Sequence, residues 1–434
     1  MNKCSGREYH EETKHSWASV RENPNRLDWS EQPRSMKIYP KNFRRTKLKS
    51  SHPLHSFIYH IGGITAKKVY PGAEYYLRTN PSAGALYPNE IYFQSRGVEG
   101  LEDGIYHFEV ATSSAVLLKP ISSDEGLEPC LNERRAMRGV LFFISSPWYR
   151  SAWKYKKRAF RYCLLDTGHI LGAIEAASYL YNHAYRIVYD IDLERLNSFF
   201  GFEKDEFFLA SAIAAVPIAG SEAVVPDGCI ARADPVGVAS CVPEIERVYL
   251  ETSGLYGCKK EPRFPKLSFN KGVWEETILK RRSVRAFGSR PISRRDFETL
   301  QDILNMPIPS DCDEPLRIYA VVNRVEGMVP GIYMDGRLLK EGDFSAMAGY
   351  LCLEQGLGSD SAVTYFLLSR GCNYRPMYIK AGILGHRLYL GSGYLGFGCS
   401  GIGAYYDDET ASFLESDEMV LYALAVGYDK EAER

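Results

Sequence analysis

An internal repeat constrains this chain more than any other feature of its sequence. Residues 98–106 read Val-Glu-Gly-Leu-Glu-Asp-Gly-Ile-Tyr, and residues 325–333 read Val-Glu-Gly-Met-Val-Pro-Gly-Ile-Tyr, so six of nine positions are identical at an offset of 227 (325 − 98). The same offset aligns residues 91–92 with 318–319, and Pro81-Ser82 falls on Pro309-Ser310 at an offset of 228. A collinear series at nearly constant spacing indicates two copies of one structural unit.

Both copies show the same succession of predicted elements. A helix comes first (54–61 and 294–304), a strand follows (90–93 and 316–321), and a glycine-containing turn leads to a strand that ends in Ile-Tyr. A third apolar strand (140–145 and 362–369) then precedes a longer helix (162–181 and 377–394). The pattern predicts an α+β fold with tandem domains at 1–220 and 266–434. A Pro-, Gly- and Ala-rich linker at 221–265 joins them, and a length of 434 residues suits two domains.

Charge and composition exclude several classes of partner. Lysine and arginine number 53 against 54 acids, giving a net charge of −1, so neither nucleic acid nor a membrane surface is an expected partner. The first fifteen residues lack the apolar stretch of a secretory signal, and no apolar run approaches the length of a membrane span. We therefore expect a cytoplasmic protein. The ten cysteines include no Cys-x-x-Cys pair, and the nine histidines are dispersed, so no metal site is predicted.

The first of four segments with chemical potential is residues 78–90, which contains Pro81-Ser82-Ala83-Gly84-Ala85 and Pro88. Small residues between two prolines allow backbone N–H groups to approach a flat ligand closely. A tight loop that simply enters a strand is the alternative interpretation.

The second segment is residues 153–162, a basic stretch that contains Lys154-Tyr155. A lysine and a tyrosine can exchange protons with a substrate if burial or a neighbouring cation brings their pKa values toward neutrality. The alternative is the start of an amphipathic helix on a basic surface.

The third segment, Lys280-Arg281-Arg282-Ser283-Val284-Arg285, suits a phosphate, because guanidinium groups and a hydroxyl saturate its oxygens. A solvated basic patch is the alternative. The fourth, residues 396–408, carries four glycines in eight residues, including those of Gly401-Ile402-Gly403. Such a backbone passes close to a neighbour, which is either a cofactor or an adjacent strand.

Taken together, these segments resemble the nitroreductase superfamily, specifically its SagB-type branch of FMN-dependent peptide dehydrogenases. Members read approximately Arg-Arg-Ser-x-Arg, Pro-Ser-Ala-Gly-Ala-x-x-Pro-x-Glu, Gly-x-Tyr, Lys-Tyr-x-x-Arg, Gly-His and Gly-x-Gly-Ala-Tyr/Phe-x-Asp. The opening residues 9–15 also resemble the start of double-length members. The resemblance covers most of the chain outside the linker and implies a mixed sheet flanked by helices in each domain.

The departures from the family pattern are complementary between the copies. The first copy keeps the Pro-Ser loop and Lys154-Tyr155 but has only Phe43-Arg44-Arg45-Thr46 in place of the arginine motif, and no glycine in residues 184–192. The second keeps residues 281–285 and 401–404, but its Pro-Ser loop has decayed to residues 309–313, and Asn373-Tyr374 replaces Lys-Tyr. Because the family builds each FMN site from two subunits, the resemblance implies an intramolecular pseudo-dimer with one composite FMN site at the domain interface.

The resemblance also implies a role for each site residue. Arg281, Arg282, Ser283 and Arg285 hold the FMN phosphate, and Pro81, Ser82, Ala83, Gly84, Gly401, Ile402 and Gly403 line the flavin. Lys154 or Tyr155 is the general base when a proton leaves carbon and a hydride reaches the flavin. The motifs do not decide between these two residues.

The expected activity is an FMN-dependent oxidation of a ribosomally made modified peptide, of the azoline-to-azole type. The expected partners are a peptide or small-molecule substrate, partner biosynthetic enzymes and a second copy of the pseudo-dimer. Two other functions stay open: an NAD(P)H-dependent nitro or quinone reductase on the same fold, and a flavin-free scaffold that binds peptides. The decayed second site is either empty or a peptide-docking surface.

Overall fold

The chain divides into two compact units. The computed structural model describes residues 5–22, 27–70, 73–202, 204–230, 233, 242–257 and 260–431. The seven-stranded unit comprises Leu27–Leu267 and Ile308–Asp313, and the six-stranded unit comprises Met1–Arg26, Ser268–Pro307 and Glu314–Arg434. Parts of the predicted linker, at 231–232, 234–241 and 258–259, lie outside the described residues.

Helices and strands alternate along both units. The helices are α1 (Arg7–Glu12), α2 (Trp17–Glu22), α3 (Pro53–Gly62), α4 (Tyr149–Tyr155), α5 (Ala159–Tyr181), α6 (Leu193–Phe199), α7 (Pro243–Glu251), α8 (Lys271–Lys280), α9 (Arg294–Asn305), α10 (Ser345–Leu351), α11 (Gly356–Asp360), α12 (Tyr374–Tyr394) and α13 (Asp407–Phe413). The strands are β1 (Arg45–Lys47), β2 (Ile64–Tyr70), β3 (Ala73–Arg78), β4 (Glu90–Arg96), β5 (Gly104–Glu109), β6 (Ser114–Pro120), β7 (Met137–Ser146), β8 (Arg186–Val188), β9 (Phe207–Pro217), β10 (Arg317–Val322), β11 (Gly331–Met334), β12 (Arg337–Glu341), β13 (Val363–Ser369), β14 (Gly398–Ile402) and β15 (Met419–Gly427).

The two main sheets repeat one topology. The first has the order β1-β6-β5-β4-β7-β9-β8 and the second β12-β11-β10-β13-β15-β14, so they differ only in the additional strand β1. Strand β5 begins at Gly104 and β11 at Gly331, which preserves the sequence offset of 227 (331 − 104). Neighbouring strands in these sheets run antiparallel, and β2 and β3 form a separate hairpin. The predicted α+β fold class is confirmed.

One long helix dominates each unit. Both α5 and α12 have apolar residues on every face, which is typical of a buried helix, and both are buried over almost their whole length. Each begins three residues before its predicted start. Helix α5 packs on α3, α4 and β9, and α12 packs on α8, α9, β14 and β15. Helix α5 ends at Tyr181, and the next residue, Asn182, adopts the left-handed conformation (φ 57°) that commonly terminates helices.

The N-terminal residues belong to the six-stranded unit, although they precede the seven-stranded unit in the chain. Helix α1 places His10 between the rings of Tyr374 and Tyr378 on α12. Further along, the backbone N–H of His15 donates to the carboxylate of Asp407 at 2.8 Å. The segment therefore covers the start of α12 and the start of α13.

A buried ionic cluster fixes the point where β4 begins. The Glu90 carboxylate lies 2.6 Å from the Arg150 guanidinium and 2.9 Å from Nε2 of His107, and it accepts the backbone N–H of Lys37 at 3.0 Å. Burial alone would raise the pKa of Glu90, but the positive charge of Arg150 and the hydrogen bond of His107 hold it well below its usual value. Arg150 also donates to the carbonyl of Tyr87 at 3.0 Å, so the cluster anchors the residues that lead into β4.

Candidate functional site: two half-sites on separate units

The Pro-Ser loop of the seven-stranded unit has an unusual backbone. It lies between β3 and β4 and contains a single 3-10 turn at Ala83–Ala85. Gly84, Ala85 and Tyr87 have φ values of 62°, 54° and 47°. Glycine adopts this left-handed conformation freely, whereas each of the other two residues costs about 1–2 kcal/mol. The loop therefore needs fixed partners to keep its shape.

Asp166 on α5 supplies those partners. Its carboxylate accepts the hydroxyl hydrogen of Ser82 and, at 3.4 Å, the backbone N–H of Ala83. The same Ser82 oxygen accepts the backbone N–H of Tyr87 at 2.9 Å. One buried carboxylate thus ties both ends of the strained turn to the long helix.

A second set of contacts holds the far side of the loop. The hydroxyl of Tyr87 accepts the backbone N–H of Arg78 at 3.0 Å, and the Arg78 guanidinium lies 4.2 Å from the centre of the Tyr87 ring. These contacts leave Gly84 as the exposed tip of a rigid loop.

Lys154 and Tyr155 meet the loop at that tip. Both lie on the last turn of α4 and are half-buried. A Cβ atom added to Gly84 would lie 3.0 Å from the Tyr155 hydroxyl and 3.2 Å from Nζ of Lys154. The structure therefore brings together the Pro-Ser loop and the Lys-Tyr pair, which are about 70 residues apart in sequence. Any side chain at position 84 would occupy the space beside both polar groups.

The Tyr155 ring is held in place by stacking on a second tyrosine ring. It lies nearly parallel to the ring of Tyr162 on α5, with centres 3.9 Å apart. Burial, followed by the influence of Tyr162 and Asp166, raises the pKa of the Tyr155 hydroxyl well above its ordinary value. Tyr155 is consequently a neutral phenol at physiological pH, a form that can donate a hydrogen bond.

The six-stranded unit assembles the other group of predicted residues. Residues 281–285 follow α8 and run beside β14: Ser283 bridges to Cys399, the backbone N–H of Val284 donates to the Cys399 carbonyl at 3.2 Å, and the Ser400 hydroxyl donates to the Val284 carbonyl at 2.8 Å. The arginine motif and the glycine-rich segment are therefore adjacent, as the resemblance implies.

Tyr389 on α12 connects these two segments. Its hydroxyl accepts the backbone N–H of Gly401 at 2.7 Å and lies 2.9 Å from the Ser283 hydroxyl, and the Arg281 guanidinium lies 5.3 Å from its ring centre. Burial raises the pKa of Tyr389, so it too is a neutral phenol. Arg281 is buried, Arg282 is half-buried and Arg285 is exposed.

Close packing explains two of the glycines in this segment. A Cβ atom on Gly398 would collide with the side chain of Val284, and one on Gly401 would collide with the Tyr422 hydroxyl. Strand-to-neighbour packing therefore accounts for these two positions. Ile402 is buried beside them in the core of the unit, and Gly403 follows directly.

The decayed Pro-Ser loop of the second copy has a structural role. Residues Ile308–Asp313 belong to the seven-stranded unit, where the carbonyl of Pro309 accepts the backbone N–H of Ile187 at 2.7 Å. The Asp311 carboxylate accepts the N–H groups of Tyr189 and Asp190, both at 2.9 Å. This segment pairs alongside strand β8 through a parallel bridge between Ile187 and Ser310.

Sequence reasoning missed three residues of these half-sites: Asp166, Tyr389 and Arg150. An acidic residue inside an otherwise apolar stretch was a usable signal for Asp166, because a carboxylate in a buried helix requires partners. Tyr389 carried no comparable signal. In addition, Asn373-Tyr374 begins α12 directly, whereas Lys154-Tyr155 ends a separate helix, so these two pairs occupy different structural positions.

Within the described ranges, no three His, Cys, Asp or Glu side chains gather in a way that would hold a metal ion. No helix in those ranges combines the length and apolar character that crossing a bilayer requires.

Replacing Asp166 by Asn should change how stability depends on pH. Burial raises the pKa of Asp166 from 3.8 to about 7, against the hydrogen bonds of Ser82 and Ala83 and the charge of Arg78. A carboxyl whose pKa is higher in the folded protein than in the unfolded protein stabilises the fold at a pH below its unfolded-state pKa. This stabilisation is lost as the pH rises through the folded-state pKa of about 7. The unfolding free energy of the wild type, minus that of Asp166→Asn, should fall by roughly 2–3 kcal/mol between about pH 5 and pH 8.

Urea unfolding over this pH range measures that difference. The exposed Asp227 provides the control, since Asp227→Asn should give a difference that does not change with pH. A flat profile for Asp166→Asn as well would show that the carboxyl is ionised throughout and does not have the assigned environment.

Comparison with known proteins agrees with this geometry. The nitroreductase family model matches residues 278–428, which contain residues 281–285 and β14. A curated relative, "Putative nitroreductase MJ1384" of Methanocaldococcus jannaschii, is 33% identical over 97 residues, which cover 21% of this chain. The matched part spans about half (48%) of that relative's length.

One solved structure matches almost the whole chain. The crystal structure of a "putative nitroreductase" from Anabaena variabilis has 25% sequence identity and a TM-score of 0.81, and the match covers 98% of this chain and 99% of that one. The chain therefore has a nitroreductase fold over both of its sheets.

Proposed function

We propose that this protein is an FMN-dependent oxidoreductase of the SagB type that dehydrogenates a peptide substrate, and that one flavin site uses a half-site from each unit. The observation that carries the proposal is the meeting of the Pro-Ser loop with Lys154 and Tyr155 at Gly84. The family match at residues 278–428 supports a flavin-binding fold for the other half. The domain boundaries at 220 and 266 remain part of this proposal.

The six-stranded half-site suits the FMN phosphate. Arg282 and Arg285 offer guanidinium groups that are not fully buried, and Ser283 offers a hydroxyl. The Tyr389 hydroxyl oxygen accepts the backbone N–H of Gly401. The hydrogen of the same hydroxyl can therefore be donated to the Ser283 oxygen. Ser283 can then donate its hydroxyl hydrogen to a phosphate oxygen.

The seven-stranded half-site suits a flat ring. The exposed Gly84 and its left-handed backbone allow the main chain to approach an isoalloxazine closely, and Asp166 keeps the loop from collapsing. In the second copy, the corresponding segment is occupied by its pairing with β8. This difference is the reason for proposing one flavin site rather than two.

When bound, FMN supplies a two-electron acceptor for a hydride. Oxidation of an azoline to an azole removes one hydride and one proton from carbon, so the protein must take the proton. Tyr155 keeps its own proton and is suited to donate a hydrogen bond to the substrate. We therefore assign proton acceptance to Lys154. Oxygen or another two-electron acceptor would have to take up the two electrons for a further turnover.

Flavin retention in two variants tests the composite site. Arg282→Ala removes a charged donor and should weaken FMN binding about 10- to 100-fold. Gly84→Ala places a methyl group against Lys154 and Tyr155 and should also release flavin. Both can be measured as the ratio of flavin to protein after desalting, and as a dissociation constant by fluorescence quenching.

Each variant has a matched control. Arg294→Ala removes an exposed arginine of the same unit that pairs with Glu298. Gly201→Ala imposes the same backbone strain, since Gly201 has φ +61°, but it meets open space. Both controls should retain flavin. If only one of Arg282→Ala and Gly84→Ala loses flavin, the site does not use both units.

Two further variants test the assignment of the proton acceptor. Lys154→Met should slow flavin reduction by a thiazoline-containing peptide about 10²- to 10⁴-fold, whereas Tyr155→Phe keeps the ring stacking and should slow it less. The readout is the loss of visible flavin absorbance in anaerobic single-turnover experiments. Lys157→Met, on the neighbouring turn, is the control.

A larger loss in Tyr155→Phe than in Lys154→Met would reverse the two roles. If the peptide reduces the flavin of neither the wild type nor any variant, but NAD(P)H reduces the flavin of all of them equally, the protein is a nitro or quinone reductase instead. The names of the similar proteins from Methanocaldococcus jannaschii and Anabaena variabilis, both nitroreductases, favour this second candidate function. A nitro or quinone reductase needs neither Lys154 nor Tyr155.

A further inference from the structure

A basic groove lies beside β1, at the edge of the seven-stranded sheet and away from the residues assigned to flavin. It consists of two adjoining cavities of about 610 and 310 Å³ that share Thr46 and Gly100. Its basic lining comes from β1, its flanking residues and the start of α3: Arg44, Arg45, Lys47, Lys49, His52 and His55. The arginines among them are those that fail to match the family's phosphate motif.

The charge of this groove is only partly neutralised. Arg44 pairs with Glu102, and Arg45 lies 3.0 Å from the buried carboxylate of Glu109. Lys47 donates to a backbone carbonyl, and in the described residues neither it nor Lys49 forms an ion pair. Both lysines are exposed. A positive excess on one wall is notable in a chain whose net charge is −1.

The wall of the groove is built around Gly100. Nε2 of His55 donates to the Gly100 carbonyl at 3.1 Å, and Nδ1 accepts the backbone N–H of Lys49 at 3.3 Å, so this ring is fixed in its neutral form. Burial lowers the pKa of His55, consistent with that state. The His52 ring lies 4.4 Å from that of His55 and occupies the space that a Cβ on Gly100 would fill.

The second copy of the internal repeat shows whether this fold can form without the groove. Gly327 is the counterpart of Gly100, and nothing lies within 4 Å of its Cβ position. The six-stranded sheet also forms without a counterpart of β1. The fold therefore does not require the basic strand or the two histidines, and their presence in one copy calls for another explanation.

We propose that this groove binds an acidic segment of a peptide. The exposed lysines complement carboxylates, and the combined cavities are larger than a single phosphate group needs. Strand β1 is also the edge of its sheet, and sheet edges are places where an extended peptide can add as a further strand. The inference does not rest on the flavin site, since none of the residues that line the two cavities is among those assigned to flavin.

Fluorescence anisotropy with a fluorescein-labelled hexaglutamate peptide tests the proposal on the full-length protein. We expect saturable binding that weakens as ionic strength rises, and no binding of labelled hexalysine. The double variant Lys47→Glu/Lys49→Glu should weaken hexaglutamate binding at least about tenfold. Lys68→Glu, an equally exposed lysine on the β2–β3 hairpin, should leave it unchanged.

Three results would overturn the proposal. The first is no saturable hexaglutamate binding, and the second is equal weakening by Lys68→Glu, which would indicate nonspecific attraction. The third is full displacement of hexaglutamate by equimolar pyrophosphate at constant ionic strength, which would indicate a site for small anions. If the double variant does not fold, Lys47→Gln/Lys49→Gln provides the same comparison.

Flavin content, measured on the same samples, separates this proposal from the proposed function. Hexaglutamate binding by a protein that takes up no FMN would leave the groove assignment intact and refute the flavin proposal. Normal FMN content with no hexaglutamate binding would do the reverse.

Discussion

The Asp166 carboxylate holds the most strained part of the seven-stranded unit. Three of the four residues 84–87 adopt the left-handed conformation, and the turn keeps this shape because Ser82 and Ala83 both hydrogen bond to one buried carboxylate. Asp166 lies on α5, one turn after Tyr162, whose ring positions Tyr155. A single helix therefore positions both the loop and the Lys-Tyr pair, and the geometry at Gly84 depends on it.

The two units share one topology but differ in the segments that carry the candidate site. Both sheets share one strand order, so each copy has a place for a Pro-Ser loop and for an arginine motif. Only the first copy retains the loop with its Asp166 anchor, whereas residues Ile308–Asp313 of the second pair alongside β8. The first copy also has β1 and the basic groove beside it, and the six-stranded sheet has no strand in the position of β1. These differences agree with the proposal that one site serves the whole chain.

The sequence predicted the repeat, the fold class and most of the long elements, because hydrophobic periodicity and the 227-residue offset are local or collinear signals. The family resemblance assigned residues 281–285 and the glycine-rich segment to the same copy. It did not predict Tyr389, whose role depends on which face of α12 meets β14. Nor did it predict that the glycines at 398 and 401 accommodate Val284 and Tyr422, because close packing is decided by tertiary contacts.

The flavin content of the purified wild-type chain tests the central claim most directly. Absorbance spectroscopy before and after denaturation gives the number of FMN molecules per chain. One FMN per chain is the predicted result, because only one Pro-Ser loop and one arginine motif remain intact. Two per chain would contradict the single-site account, and none after incubation with excess FMN would contradict the proposed function altogether.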